Sequence, residues 1–158
     1  MRRHTFGYDV LFFIAILATL LSLAPGLAHV FELPHKLALP RDQYFVVQQI
    51  YAGWALFGAV ILVQFVALVL LAWRSAREYY VFRPVLAALL LMLAAQALFW
   101  LFTFPANAAT VNWTEAPPDW DDLRSQWEWS HAAGALCQLL ALCSLLTALF
   151  ARVRAAGR

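Results

Sequence analysis

Long apolar runs alternate with short polar segments along the chain, and the length of the runs decides the class of fold. A helix needs roughly 20 apolar residues to cross the hydrocarbon of a bilayer. Runs of that kind close near Leu33, fill Ile50 to Trp73, resume after Pro84, and extend from Ala132 to Ala151. They predict helices over about 8–33, 42–76, 84–104 and 120–152, within one integral membrane domain spanning 1–158. Short connections make this an all-α, up-down-up-down antiparallel bundle of four transmembrane helices. Pro25 predicts a kink in the first helix, and Pro84 suits the first turn of the third. Pro117-Pro118, with Asp119 as N-cap and Asp121 and Asp122 in the first turn, start the last helix.

The polar positions follow the helical period. Arg124, Glu128 and His131 succeed one another at +4 and +3, so they share a face that Ala135 and Gln138 continue inward. On the first helix Thr19, Ser22, Gly26 and His29 share a face, Glu32 follows His29 at +3, and Lys36 follows Glu32 at +4. Gln48, Tyr51 and Trp54 open the second helix, and Gln96, Trp100, Thr103 and Asn107 fall at +4, +3 and +4 on the third. All four helices thus bring polar side chains to one layer at the outer boundary of the hydrocarbon. Ionisable groups at that depth are costly and face the bundle or a wet cavity.

That layer predicts a pocket open to the outer side. Its reactive groups are His29, Glu32, Arg124, Glu128 and His131, and its ligand-binding groups are Gln48, Tyr51, Trp54, Asn107 and Trp127. One of the two histidines acts as base, Arg124 holds an anionic oxygen, and Glu32 or Glu128 orients the histidine. The tryptophans and Tyr51 suit a flat, lipophilic aromatic ligand. No cofactor is required by this pattern, but a single metal ion held by His29, His131 and a carboxylate is a second reading. A third is structural: Glu32 with Lys36 and Arg124 with Glu128 are i,i+4 pairs that neutralise helix ends. The polar layer then only fixes helix packing, and Trp54, Trp100, Trp127, Trp129 and Tyr51 form an interfacial belt.

Composition narrows the classes further. With 64% hydrophobic and 13% charged residues the chain is no ordinary soluble domain. The formal net charge of +2 says little about partners; those expected are the bilayer and a lipophilic small molecule, with no nucleic acid. Arg2, Arg3, Arg74, Arg77, Arg83, Arg152, Arg154 and Arg158 fall at one end, against Lys36, Arg41 and Arg124 at the other, which puts both termini in the cytoplasm. Gly26-Leu27-Ala28 could end a secretory signal, but the apolar run is longer than a signal core and its pattern continues past Ala28. Cys137 and Cys143 are six apart inside the last run, with no C-x-x-C pair, and read as buried structural thiols. Ala87, Ala88, Ala94, Ala95 and Ala97 suit packing within or between chains and so set no oligomeric state.

Five stretches together carry a family resemblance. They are Ala28-His29-Val30-Phe31-Glu32-Leu33-Pro34 with Lys36; Gln48-Gln49-Ile50-Tyr51-Ala52-Gly53-Trp54; Pro105-Ala106-Asn107 with Asn112-Trp113-Thr114; Leu123-Arg124; and Trp127-Glu128-Trp129-Ser130-His131-Ala132. In these the chain resembles a bacterial family of small four-span membrane proteins of unknown function, grouped distantly with the fungal anthrone oxygenases. The resemblance covers nearly the whole chain. It implies a four-helix protein of the bacterial inner membrane and a cofactor-free oxidation of a polycyclic phenol or quinone-like molecule. It assigns no residue a catalytic role.

Overall fold

The computed structural model describes residues 2–156, with side chains from 6 to 155. It is all-α. The long helices are α1 (Arg2–Leu37), α3 (Phe57–Ser75), α4 (Tyr79–Leu98) and α6 (Trp120–Ala156); short helices α2 (Arg41–Gln48) and α5 (Phe104–Ala109) complete the set. Four segments are long and apolar enough to cross a membrane: Phe6–Leu37, Trp54–Ser75, Tyr79–Ala109 and Trp120–Ala155. Around the bundle α1 packs on α3, α3 on α4, α4 on α6, and α6 back on α1, with α3 and α4 touching least. The chain is a multi-pass membrane bundle.

Three helix boundaries differ from the sequence expectation. Helix α1 runs through both Pro25 and Pro34 to Leu37, so His29, Glu32 and Lys36 lie on one unbroken helix that also crosses the Ala28–His29 bond. The helix expected over 42–76 is broken. Helix α2 ends at Gln48, two tight turns occupy Gln49–Tyr51 and Trp54–Leu56, and Gly53 sits between them at φ +86°. A residue with a Cβ is disfavoured in that left-handed region, whereas glycine enters it freely.

The third span starts before Pro84, at Tyr79, and continues past the expected end at 104. Pro105 has no N–H for the carbonyl of Leu101, and its ring crowds that turn. The helix responds with one wide π-helical turn over Phe99–Thr103, closed by the Phe104 N–H on the Phe99 carbonyl, and then resumes as α5. The Phe102 carbonyl takes a hydrogen bond from Gln126 Nε2 at 2.8 Å.

The interior divides along the bundle axis. Toward the termini the core is apolar, built from Phe12, Ala15, Leu68, Leu71, Val85, Ala88, Leu145 and their neighbours. At the other end α2 caps the bundle, and Tyr44 packs with Ala106, Trp113 and Trp127. Between the two lies a buried amide pair. Gln64 Nε2 donates to Gln138 Oε1 at 2.7 Å and to Thr19 Oγ1 at 3.1 Å. The lipid-facing surface carries Phe13, Leu62, Leu90, Trp100, Trp129 and Phe150, all exposed. Trp127, expected in that belt, is buried instead. Cys137 is only partly buried and Cys143 is exposed, which corrects the expectation of two buried thiols; both are free.

Candidate functional site

A cavity of about 950 Å³ occupies the half of the bundle away from the chain termini. Its walls come from all four spans and from the loop after α5. His29, Gln48, Tyr51, Trp54, Asn107, Trp127 and His131 line it, together with Ser22, Gln96, Thr103 and Gln138. Gly58 and Ile61 of α3 and Gln96, Phe99 and Trp100 of the third span are part of the wall, and α3 and α4 are the most loosely packed pair of neighbouring spans. The wall is chiefly aromatic, with a few polar groups, the usual make-up of a small-molecule site.

The close approach of α1 and α6 brings the two histidines together. A Cβ built on Gly26 would lie 3.0 Å from the Ala135 Cβ, so any larger residue would push α1 and α6 apart by a few tenths of an ångström. His29 lies one turn above Gly26, and His131 one turn above Ala135. Their ring centroids are 4.4 Å apart with planes tilted by 59°. Trp127 stacks on His131 at 4.0 Å and meets His29 edge-on at 4.9 Å, while Tyr51 closes on His29 at 4.6 Å.

The hydrogen-bond partners assign a tautomer to each ring. Lys36 Nζ is 3.3 Å from His29 Nδ1, and an ammonium only donates, so Nδ1 carries the lone pair and Nε2 the proton. His131 Nδ1 is 2.9 Å from the Trp127 carbonyl oxygen, which only accepts, so Nδ1 carries a proton, and in the neutral ring the lone pair falls on Nε2. Two neutral histidines with opposite tautomers therefore line one cavity: one offers a donor, the other a base.

Behind them lies a charged network whose ions, Lys36, Glu32 and Glu128, do not line the cavity. Lys36 is 3% exposed, and its Nζ lies 3.0 Å from Glu128 Oε1, 3.5 Å from Glu32 Oε2 and 3.2 Å from the Tyr51 oxygen. Tyr51 donates its hydroxyl to Glu32. Tyr44 donates to Glu128 Oε1 at 3.0 Å and accepts from Gln48 Nε2. Glu128 is fully buried, and its Oε2 has no partner among the described residues. Both tyrosine hydroxyls, in the segment between the first two spans, are held well above the ordinary phenol range. For Tyr44 burial is the main cause and the Glu128 charge the next; for Tyr51 burial comes first and the hydrogen bond to Glu32 second. They stay neutral donors.

Three of the reactive groups expected in the pocket are elsewhere. Arg124 points to the loops: its NH1 donates to the Leu39 carbonyl at 2.8 Å, NH2 pairs with Asp121, and the guanidinium stacks on Trp120 and Tyr44. It holds no oxygen in the cavity. Glu128 is one turn from Arg124 but pairs with Lys36 across the bundle, so neither the i,i+4 pair nor its orienting of His131 is present. Glu32 stands outside the cavity wall, 4.0 Å from His29 Nδ1, and its side chain is 41% exposed.

A metal reading meets an obstacle in the same network. Among the described residues no three His, Cys, Asp or Glu side chains gather around one point. The Lys36 ammonium itself stands between His29 Nδ1 and the nearest carboxylates, where a cation would have to sit. Asn107 is part of the wall and fixes two tryptophans: its Oδ1 accepts from Trp113 Nε1 at 3.0 Å and Trp127 Nε1 at 2.8 Å.

The fold and site define a membrane-embedded aromatic cavity with a neutral histidine pair. Searches of family models, curated proteins and solved structures returned no match to this chain.

Proposed function

We propose that this membrane protein binds a flat, lipophilic phenol or quinone-like molecule in the cavity and exchanges a proton with it through His131. The observation that carries this reading is the pair of ring contacts, Lys36 Nζ on His29 Nδ1 and the Trp127 carbonyl on His131 Nδ1, which gives the two rings opposite tautomers in one aromatic pocket. His131 Nε2 accepts a phenolic or acidic C–H proton, and the His29 Nε2–H donates to the oxygen that becomes negative. Lys36 replaces Arg124 as the cation of the site, acting through His29 rather than on the ligand. The side where α3 and α4 pack least gives a lipophilic ligand a route from the bilayer.

The oxidoreductase form of this reading adds dioxygen as oxidant. His131 takes a proton from a ring methylene, and the carbanion passes its electrons to dioxygen. One oxygen atom ends as a ring carbonyl and the other leaves as water. The non-catalytic form stops at binding, and the Lys36–Glu128 pair supports a third reading in which the polar layer only locks helix register.

Both termini face the cytoplasm of a bacterial inner membrane in this proposal. At the opposite end Lys36, Arg41 and Arg124 are each paired with an acid, Glu128, Asp42 and Asp121. The terminal end has more arginines than acids to pair them: Arg74 and Arg152 lie over Tyr8, Arg152 also pairs with Asp9, and Arg77, Arg83 and Arg154 are exposed. The side chains of Arg2 and Arg3, and Arg158, lie outside the described residues. The test uses protein in lipid nanodiscs and 2-naphthol as probe. Saturable quenching of tryptophan fluorescence, weakened roughly tenfold or more in His131→Ala by loss of the acceptor, is expected. Oxygen uptake with anthrone, absent in His131→Ala, separates catalysis from binding; quenching that does not saturate overturns both.

A further inference from the structure

The end of the bundle that holds the termini carries a second, smaller cavity of about 400 Å³ between α1 and α6. Asp9, Phe13, Ile16, Leu17 and Leu20 of α1 line it, with Leu149 of α6. Phe13, Leu17 and Leu20 are exposed, so the cavity is a groove on the face turned to lipid. Asp9 stands in the first turn of the span Phe6–Leu37, at the level of the headgroups. Leu20 follows it by eleven residues, about 16 Å along a helix, which is close to half of a hydrocarbon core of roughly 30 Å. The groove therefore runs from one membrane surface to the middle of the bilayer, the depth of one acyl chain. Below Asp9 its lining is wholly apolar.

Two opposite charges meet at the mouth. Arg152 NH1 donates to Asp9 Oδ1, and the guanidinium is held over the Tyr8 and Phe12 rings, 4.1 and 5.6 Å from their centroids. The pair is not saturated. A carboxylate accepts on both oxygens and a guanidinium donates from all three nitrogens, and the Asp9 side chain is 60% exposed despite its partner. Asp9 lines the groove, whereas Arg152 and Arg74, which also lies over Tyr8, do not. A headgroup with only negative charge would meet the acid first. A headgroup that joins a phosphate to a primary ammonium can set the ammonium on Asp9 and the phosphate on Arg152. A quaternary ammonium brings the same charge but no N–H to donate.

We propose that this groove binds a phospholipid with a primary-amine headgroup, phosphatidylethanolamine, one acyl chain lying along Phe13, Leu17 and Leu20. The proposal needs only the membrane bundle and is independent of what the aromatic cavity binds.

The experiment offers the full chain, in detergent, equal amounts of dioleoyl phosphatidylethanolamine, its N-methyl form, phosphatidylcholine and phosphatidylglycerol, and counts retained lipids by native mass spectrometry. Phosphatidylethanolamine is retained about threefold to fivefold over phosphatidylcholine, the worth of one exposed charged contact, and the N-methyl form falls between them. In Asp9→Asn the two come within twofold. Asp9→Glu keeps the preference, as does Arg83→Gln, which removes an exposed charge that does not line the groove. Equal retention of the two lipids by the native chain overturns the site, and so does a preference that survives Asp9→Asn; the Asp9–Arg152 pair then only fastens α1 to α6. Phosphatidylglycerol retained above phosphatidylethanolamine also overturns it, in favour of a basic surface that takes any anionic lipid. The graded headgroups on the native chain decide the matter even where Asp9→Asn fails to fold.

Discussion

Lys36 offers the sharpest test of how the site is held. Its ammonium is buried between Glu128, Glu32, His29 and Tyr51, and Glu128 is wholly enclosed with one oxygen already unpaired. Lys36→Met keeps the length of the side chain and removes the charge. Glu128 is then a buried carboxylate whose remaining partner is Tyr44 at 3.0 Å. Stranding one member of a buried ion pair costs about 3–5 kcal/mol. At about 2–4 °C per kcal/mol for a chain of this size, the Tm falls by roughly 6–20 °C. Thermal unfolding in detergent micelles, followed by circular dichroism, measures it.

The companion Lys36→Met/Glu128→Gln removes the stranded charge, keeps an acceptor for Tyr44, and is expected to regain more than half of the loss. A second readout concerns the ring itself. Without the ammonium, His29 Nδ1 loses the donor that sets its tautomer, and imidazole ¹⁵N shifts move from the Nε2–H pattern toward a mixture. A single variant with unchanged Tm, or a double variant no better than the single, would refute the argument. Either result would mean that Lys36 and Glu128 are not a mutually dependent buried pair.

Other perturbations separate positioning from binding. Gly26→Ala sets overpacking against Ala135, about 1–3 kcal/mol, against a helix gain of about 0.5–1 kcal/mol, so Tm moves little. Its 2-naphthol affinity falls, because α1 and α6 part and take the histidines with them; unchanged affinity would detach the helix approach from the site. Arg124→Ala lowers Tm by releasing the Leu39 and Asp121 contacts but leaves 2-naphthol binding within twofold, whereas His131→Ala weakens it. Asn107→Leu leaves two buried indole N–H groups without an acceptor, at about 1–3 kcal/mol each, read as a lower Tm and altered near-ultraviolet circular dichroism. Tyr44 and Tyr51 are held protonated in the folded protein, so the stability they confer is intact below the ordinary phenol pKa, about 10, and is lost as pH rises beyond it. Ultraviolet titration near 295 nm should leave these two silent at pH 11; all five tyrosines of the chain titrating together would contradict it.

The four-span fold was legible because hydrocarbon thickness imposes a length on each apolar run, and that signal survives without any knowledge of partners. The convergence of polar residues was legible for a related reason: helical spacing fixes which face a residue occupies, and topology fixes its depth. His29, His131, Asn107 and Thr103 needed nothing more. Arg124 and Glu128 misled because an i,i+4 pair within one helix competes with partners on another. Lys36 could have been recognised, since it stands seven residues beyond His29 and so shares its face; the nearer Glu32 masked that relation. Tyr44 carried no signal, because the direction of α2 depends on the break at Gly53, which lies inside an otherwise apolar pattern.

That break has a consequence for the chemistry. A continuous helix over 42–76 would carry Tyr44 straight out of the bundle, more than three turns above Phe57. With the chain turned at Gly53, α2 folds over the end, and Tyr44 reaches Glu128 while Gln48, Tyr51 and Trp54 all line the cavity. The carboxylate is thereby sealed from water by Tyr44, and its charge is directed to Lys36. The ammonium in turn requires a lone pair on His29 Nδ1, which leaves the His29 proton on Nε2. The carboxylate and ammonium thus act on the cavity through neutral groups, the His29 ring, Tyr51 and Gln48, so a ligand from the bilayer meets hydrogen-bonding groups without having to desolvate an ion.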